Sequence, residues 1–308
     1  MKKSLVSVIM SAYNAENFIA DAIRSILDQT YGNWEFIIIN DCSSDGTAQI
    51  MEQFLDGDSR IKLIHNKENL GLTKSLNIGI KHAEGEFIAR LDADDTSEPS
   101  RLEKQVNFLG IHPDIVLVGS EAHLIDTSGH KIGEMNIISR DSIIRRLMTH
   151  VNLFIHSSIL IRRGAIEDVG CYREKFRYTQ DYDLILRLSD KYTLSNIPEP
   201  LIRWRTSGTS QTMQHHTLQR IYADIAREFA FERKEKGYDS YDSMDVDEKI
   251  NAMMKKNHGR YLCEYGVYQA LFMKQYKEGL VEISKGIRSG GFPYNAFMRG
   301  VIQVIAKI

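Results

Sequence analysis

Asp92, Asp94 and Asp95 place three carboxylates within four residues, in the run Leu91-Asp-Ala-Asp-Asp95. Hard divalent cations such as Mg2+ and Mn2+ take carboxylate oxygens, and Mg2+ is commonly held by one or two of them together with substrate phosphates. Taken alone, such a run is either a cation site or a solvated acidic turn, and its setting favours the first. It directly follows Phe87 to Leu91, an apolar stretch that reads as a buried strand. Three other polar clusters stand in the same relation to strand candidates: Ser11-Ala-Tyr-Asn14, Asn40-Asp-Cys-Ser-Ser-Asp45 and Asn66 to Gly71. A further carboxylate, Asp181, opens a segment with helical spacing at Tyr182, Ile185, Leu186 and Leu188. An acid in that place either caps the helix or takes a proton from a bound hydroxyl.

The elements that must position these groups alternate in type. Leu5 to Met10, Trp34 to Ile39, Ile61 to His65 and Phe87 to Leu91 read as strands. Between them, helical spacing runs from Phe18 to Leu27 with Asn14 as its N-cap, from Thr47 to Phe54 and from Leu72 to Ala83. Repeated βαβ units imply a parallel sheet with right-handed crossovers, and open sheets of this kind bind ligands at the carboxyl ends of their strands. All four polar clusters fall on that edge, so a single site is expected. Further on, Ile115 to Ser120, Ala122 to Ile125, Ser157 to Arg163, Tyr192 to Ile197 and Leu201 to Arg205 read as strands, and Asp126 to Gly129 as a turn. From about Met213 the pattern is helical, with Lys234 to Lys249 as an exposed connection and Tyr261 to Arg288 as a helical hairpin.

These residues resemble the family 2 glycosyltransferases with the GT-A fold, over roughly residues 4 to 212. The motifs that carry the resemblance stand in the family's order. They are Val8-Ile-Met-Ser-Ala-Tyr-Asn14, Asn40-Asp-Cys-Ser-Ser-Asp-Gly-Thr47, Asn69-Leu-Gly71 with Ser75 and Asn77, Leu91-Asp-Ala-Asp-Asp95, Gly170-Cys-Tyr-Arg173 and Gln180-Asp-Tyr-Asp-Leu184. The resemblance implies an α/β Rossmann-like fold, a mostly parallel open sheet with helices on both faces, over residues 1–212. A helical region follows over 213–308. It implies transfer of a hexose or N-acetylhexosamine from a UDP-sugar with inversion, assisted by Mn2+ or Mg2+. Ala12 and Tyr13 of the first motif and Asp41 would bind the nucleotide base, Asp92 the ribose and Asp94 the metal. Asp95 would support them. Lys74 and Arg205 are candidate phosphate partners. Arg90 would pair with the neighbouring acids or contact the donor. Asp181 would be the general base, with Gln180 where the family usually has Glu. His156 lies in a segment resembling one near the acceptor pocket. Ser207 stands where the family often has histidine. The setting implied is O-antigen or capsule assembly, on a glycan carried by undecaprenyl diphosphate at the cytoplasmic face of the inner membrane.

Composition narrows the classes. An apolar fraction of 43% and a charged fraction of 26% suit a globular chain. A net charge of −2 gives no support for a nucleic-acid binder. Residues 251–308 carry +6 and the remainder −8. The basic, apolar segment Phe292 to Ile308 would suit an anionic membrane surface or would pack back on the chain. Cys42, Cys171 and Cys263 lie far apart, with no CxxC pair, which points to a reducing cytoplasm. No stretch has the length of a membrane span or signal peptide. Two rival classes remain. A sugar nucleotidyltransferase should open with a glycine-rich loop, which Ser11-Ala-Tyr-Asn14 is not. A non-catalytic nucleotide-sugar binder needs no acid at Asp181.

Overall fold

The computed structural model describes residues 4–55, 57–206, 215–272 and 276–289. They fall into two compact units, Met1–Ile144 with Leu153–Thr206, and Arg145–Asn152 with Ser207–Ile308. The boundary expected at 212 lies outside the described residues. The capture of Arg145–Asn152 by the second unit was not foreseen.

The first unit begins β1 (Val6–Ala12), α1 (Ile19–Leu27), β2 (Trp34–Asn40), α2 (Thr47–Leu55), β3 (Ile61–His65), α3 (Leu72–Lys81) and β4 (Phe87–Arg90). Parallel ladders join β3 to β2, β2 to β1 and β1 to β4, as the βαβ pattern requires. Both faces of β1 and β2 are covered, which is why their sequences are nearly continuous apolar runs. The stripe Ile19, Ala22, Ile23 and Ile26 of α1 is buried in the core built on this sheet.

Helix α3 lies close on the sheet because Gly79 has no side chain. A Cβ there would stand 2.5 Å from Ile9 Cγ2 and 2.9 Å from Ile39 Cδ1. Gly79→Ala gains about 1 kcal/mol in helix propensity, but overpacking a core typically costs about 1–3 kcal/mol. The expected result is a lower urea midpoint with an unchanged slope.

Next come β5 (Thr96–Ser97), α4 (Arg101–Ile111), β6 (Ile115–Ile125), β7 (Lys131–Met135), α5 (Asp141–Leu147), a 3-10 turn (His156–Ser158), β8 (Leu160–Arg162), α6 (Arg163–Asp168), α7 (Gln180–Lys191) and β9 (Thr193–Arg205). The sheet order is β3-β2-β1-β4-β8-β6-β9-β5, with β7 on β6. Strand β8 runs antiparallel to β4 and β6, so the second half of the sheet is mixed.

Several elements differ from the sequence reading. The two short strands at 115–125 are one strand, and so are the two at 192–205. Register shifts between Ser120 and Ala122, opposite the Pro198–Pro200 stretch, absorb the polar and proline residues that suggested breaks. The strand expected from Ser157 shrinks to Leu160–Arg162. Ser158 turns back to bond the Ile155 carbonyl through both its N–H and its hydroxyl. Asn14 is not the N-cap of α1, a place taken by Phe18. Asn14 is left-handed (φ 50°), and its Oδ1 accepts from Ser44 N–H at 2.9 Å.

The second unit contains α8 (His216–Lys236), α9 (Val246–Phe272) and α10 (Tyr276–Arg288). The connection read as 234–249 is only 237–245. Arg233 and Glu232 hold Asp239 and Ser240 against the end of α8. Helices α9 and α10 form the expected hairpin, and a Cβ at Gly286 would meet the Gly259 carbonyl at 2.5 Å. Among the described residues no helix is long and apolar enough to cross a membrane. The expected membrane-surface segment 292–308 and Ser207 lie outside the described residues.

Candidate active site

The carboxyl ends of β1, β2 and β4 deliver the expected clusters side by side. Ala12 ends β1, and its carbonyl accepts the Asp41 N–H at 2.9 Å. Tyr13 follows with half its surface exposed, a ring free to stack on a flat base. The Asp41 carboxylate is buried and already engaged. It accepts from Asn66 Nδ2 at 2.7 Å and from the N–H groups of Leu70 and Gly71 at 2.9 Å each. Asp41 thus pins the loop before α3, where Gly71 supplies the left-handed φ of 83°. A carboxylate has about four acceptor sites, so one remains for a base N–H. At the start of α2 it is Asp45 that caps, accepting from Thr47 N–H at 3.0 Å. Lys74 stands exposed in the first turn of α3.

The acidic turn between β4 and β5 divides its carboxylates. Asp92 is ion-paired with the buried Arg90 and accepts from Ser157 Oγ at 2.9 Å. Burial works against its charge, but Arg90 and Ser157 hold the carboxyl below its ordinary range. Asp95 is enclosed, accepting from Ser157 Oγ at 2.5 Å and from Arg205 N–H at 2.8 Å. Burial, then the charges of Asp94 and Asp92, raise it well above the usual value. Asp94 is pushed up to about 6 by burial and by Asp92. Among the described residues no side chain donates to the Asp94 carboxylate. A partly shielded acid beside two others, with no cationic side chain bonded to it among the described residues, is the group a metal ion would relieve.

Arg205, expected as a phosphate partner, bonds backbone carbonyls through Nε and Nη1. Its Nε donates to the Asp94 carbonyl at 2.8 Å, its Nη1 to the carbonyls of Asp126 and Thr127 at 3.0 Å, and its guanidinium lies over Phe18 at 4.7 Å. The reason is geometric. Arg205 ends β9, paired with Ile125 at the end of β6, so its nearest acceptors are the Asp94 carbonyl of the acidic turn and the carbonyls of the turn that follows β6. Arg101, which sequence reasoning missed, does the same from beneath. Fully buried, it donates to the carbonyls of Arg90 and Ile159 at 2.7 and 3.2 Å, and burial lowers it to about 9. Its signal was a cation next to Leu102 on a helix whose Leu102 and Leu109 share an apolar stripe. Ser157 was also missed as a contact. It sat unassigned in His156-Ser-Ser158.

Asp181 enters the same region from α7. It is half-buried in the helix's first turn, after Thr179 in the left-handed region (φ 51°) and beside the buried Gln180. Burial raises its carboxyl, the Tyr182 N–H and Arg90 act the other way, and Asp92 adds to the rise. Asp181 therefore lies within the field of the Arg90–Asp92 pair. His156 joins them from the 3-10 turn, with Nε2 2.7 Å from the Tyr172 hydroxyl. Asp183 of the same motif is structural, fully buried on Arg187 at 2.9 Å and Arg173 at 3.6 Å. All four non-glycine residues of positive φ among the described ones, Asn14, Cys42, Cys171 and Thr179, lie in the loops around this site. Strained backbone gathers at functional loops.

A half-parallel open sheet whose strand ends carry an exposed tyrosine, a paired acidic turn and a helix-borne carboxylate defines the GT-A class. The chain belongs to glycosyl transferase family 2, whose family model matches residues 7–170. An uncharacterized glycosyltransferase of Haemophilus influenzae is 36% identical over 237 residues, 73% of this chain and 72% of its own. TuaG of Bacillus subtilis, named for teichuronic acid biosynthesis, is 43% identical over 107 residues, 35% of this chain and 42% of its own. Among solved structures, S. aureus TarS in complex with UDP-GlcNAc superposes with a TM-score of 0.61 at 16% identity, covering 94% of this chain and 93% of that one. The mannosyltransferase PcManGT of Pyrobaculum calidifontis, in complex with GDP-Man and Mn2+, gives 0.56 at 17% identity over 100% of this chain and 82% of that one.

Proposed function

We propose that this chain is an inverting glycosyltransferase that moves a hexose or N-acetylhexosamine from a UDP-sugar to a glycan acceptor in surface polysaccharide assembly. The observation that carries this reading is the meeting of the Asp92–Asp94 turn and Asp181 around Arg90. Tyr13 stacks on the uracil and the free acceptor site of Asp41 takes a base N–H. Asp92 binds the ribose, and Asp94 holds the divalent ion. When bound, that ion neutralises the diphosphate and stabilises its departure. Asp181 takes the proton of the attacking acceptor hydroxyl. The naming of TuaG and the donor in TarS support a UDP-sugar and a polysaccharide product. The ion in PcManGT supports a divalent metal. The acceptor we propose is a glycan on undecaprenyl diphosphate, at the cytoplasmic membrane face.

Calorimetry with UDP, with and without Mn2+, tests the donor site. A panel of UDP-glucose, UDP-galactose, UDP-GlcNAc and GDP-mannose scored for slow hydrolysis tests turnover without knowledge of the acceptor. We expect Mn2+-dependent UDP binding and hydrolysis of one UDP-sugar. Binding with no turnover of any donor would instead mark a nucleotide-sugar binder.

A further inference from the structure

The Gly170-Cys-Tyr-Arg173 motif has no part in the donor site, yet it delivers Tyr172 to the reaction region. Tyr172 is 4% exposed. One side chain grips its backbone at both ends. Asn77 Nδ2 donates to the Tyr172 carbonyl at 2.8 Å, and Asn77 Oδ1 accepts the Tyr172 N–H at 3.1 Å. Thr73 Oγ1 donates to the Phe176 carbonyl at 2.7 Å. Helix α3 thereby fixes this loop from the donor side. The Tyr172 hydroxyl stands 2.7 Å from His156 Nε2, and the two rings meet edge to face with centroids 5.6 Å apart.

The protons on this pair can be counted. Burial raises Tyr172, so its hydroxyl keeps its hydrogen. Burial and the Arg90 charge push His156 well below its usual range, against the opposing pull of Asp92, so the ring is neutral. A neutral imidazole carries a single N–H. Were that N–H on Nε2, it would face the tyrosine oxygen and leave the buried hydroxyl hydrogen without an acceptor, which is unfavourable. Among the described residues nothing else accepts from that hydroxyl. With the hydroxyl donating to Nε2, the ring hydrogen sits on Nδ1. No described group accepts from Nδ1, and it is not one of the enclosed atoms left without a partner. The ring is half-buried, so this edge is open.

We propose that Tyr172 is a positioning residue: its hydroxyl holds His156 in the Nδ1–H form, presenting a neutral donor to a hydroxyl of the sugar or acceptor bound beside Asp92 and Asp181. The proposal rests on the functional reading of those two acids. The charged groups acting on the pair are Arg90 of β4, Asp92 after it and Asp181 of α7. A protonated imidazole would add a second cation beside Arg90, whereas a neutral N–H can bind a hydroxyl without that repulsion.

Two measurements on the full chain test it. The first is nitrogen NMR of histidine-labelled protein, with the His156 signals assigned by their loss in His156→Asn. The wild type should show hydrogen on Nδ1 only, and Tyr172→Phe should move it partly or wholly to Nε2. Hydrogen on Nε2 in the wild type, or no change in Tyr172→Phe, overturns the proposal. The second is hydrolysis of the preferred UDP-sugar. Tyr172→Phe should lower kcat/KM about tenfold, the scale of one oriented hydrogen bond, with UDP affinity unchanged. An asparagine amide offers an N–H near the Nδ1 position without a tautomer to fix. In the His156→Asn background, Tyr172→Phe should therefore cost less than about twofold. An equal loss in both backgrounds means that Tyr172 only supports the loop, and the proposal fails. A wild-type chain that binds no UDP removes the functional reading alone, since the ring nitrogens still decide the tautomer.

Discussion

Asp181→Asn is expected to lower sugar transfer by about 10³-fold, in the middle of the 10²–10⁴ range for losing a positioned general base, while UDP binding stays within about twofold. Asparagine keeps the shape and the helix-end hydrogen bonding but cannot take the acceptor proton. The split matters because Asp181 lies within electrostatic reach of Arg90 and Asp92, so a merely structural role would disturb donor binding as well. Calorimetry with UDP and a product assay read the two effects separately. Wild-type turnover in the variant would remove the base assignment. The pH profile carries a second expectation. Burial raises the Asp181 carboxyl above the 3.8 of an ordinary aspartate. A base works deprotonated, so activity should fall as the pH drops, with a midpoint above the ordinary aspartate range. That acidic limb should be absent from the residual activity of Asp181→Asn.

Asp94→Asn is expected to move two quantities in opposite directions. The gain in UDP affinity on adding Mn2+ should shrink by about 10²–10³-fold, since unit charges about 4 Å apart interact by about 4 kcal/mol at an effective dielectric of about 20. The metal-free protein should melt higher. The sign follows from linkage. Asp94 sits near 6 in the folded chain against 3.8 for a solvated aspartate, so its charge opposes folding once the pH is above both values. A neutral amide removes that cost and relieves Asp92 and Asp95. Thermal melts at pH 8 without metal, set beside UDP titrations with and without Mn2+, check both. A lower melting temperature together with intact Mn2+ dependence would reassign Asp94 to a structural role.

Much of the fold was legible because its causes are local. The runs Val6 to Ala12 and Trp34 to Asn40 are apolar enough to be covered on both faces, and helical spacing between them leaves parallel pairing as the natural closure. That pattern alone put Tyr13, Asp41 and the acidic turn on one edge. The mixed half of the sheet was less legible. Its joins are set by register with partners far along the chain. Nothing local tells that Ser120 and Pro198 are irregularities inside strands, since the opposing strand supplies the pairing that carries the chain across them.

At the site, the sequence by itself determined which chemistries were available: three acids in a turn, one acid at a helix start, and a tyrosine and an aspartate after buried strands. Only the tertiary structure decided how those groups are divided. Asp92 and Asp95 share the single hydroxyl of Ser157, a residue 62 positions or more away. Arg205 donates to carbonyls of two turns, the acidic one and the one after β6, and Asp41 braces the loop before α3. The physical reason is common to all three. A residue type sets what a side chain can donate or accept, but burial and the neighbours brought by distant strands decide which of those capacities is already used.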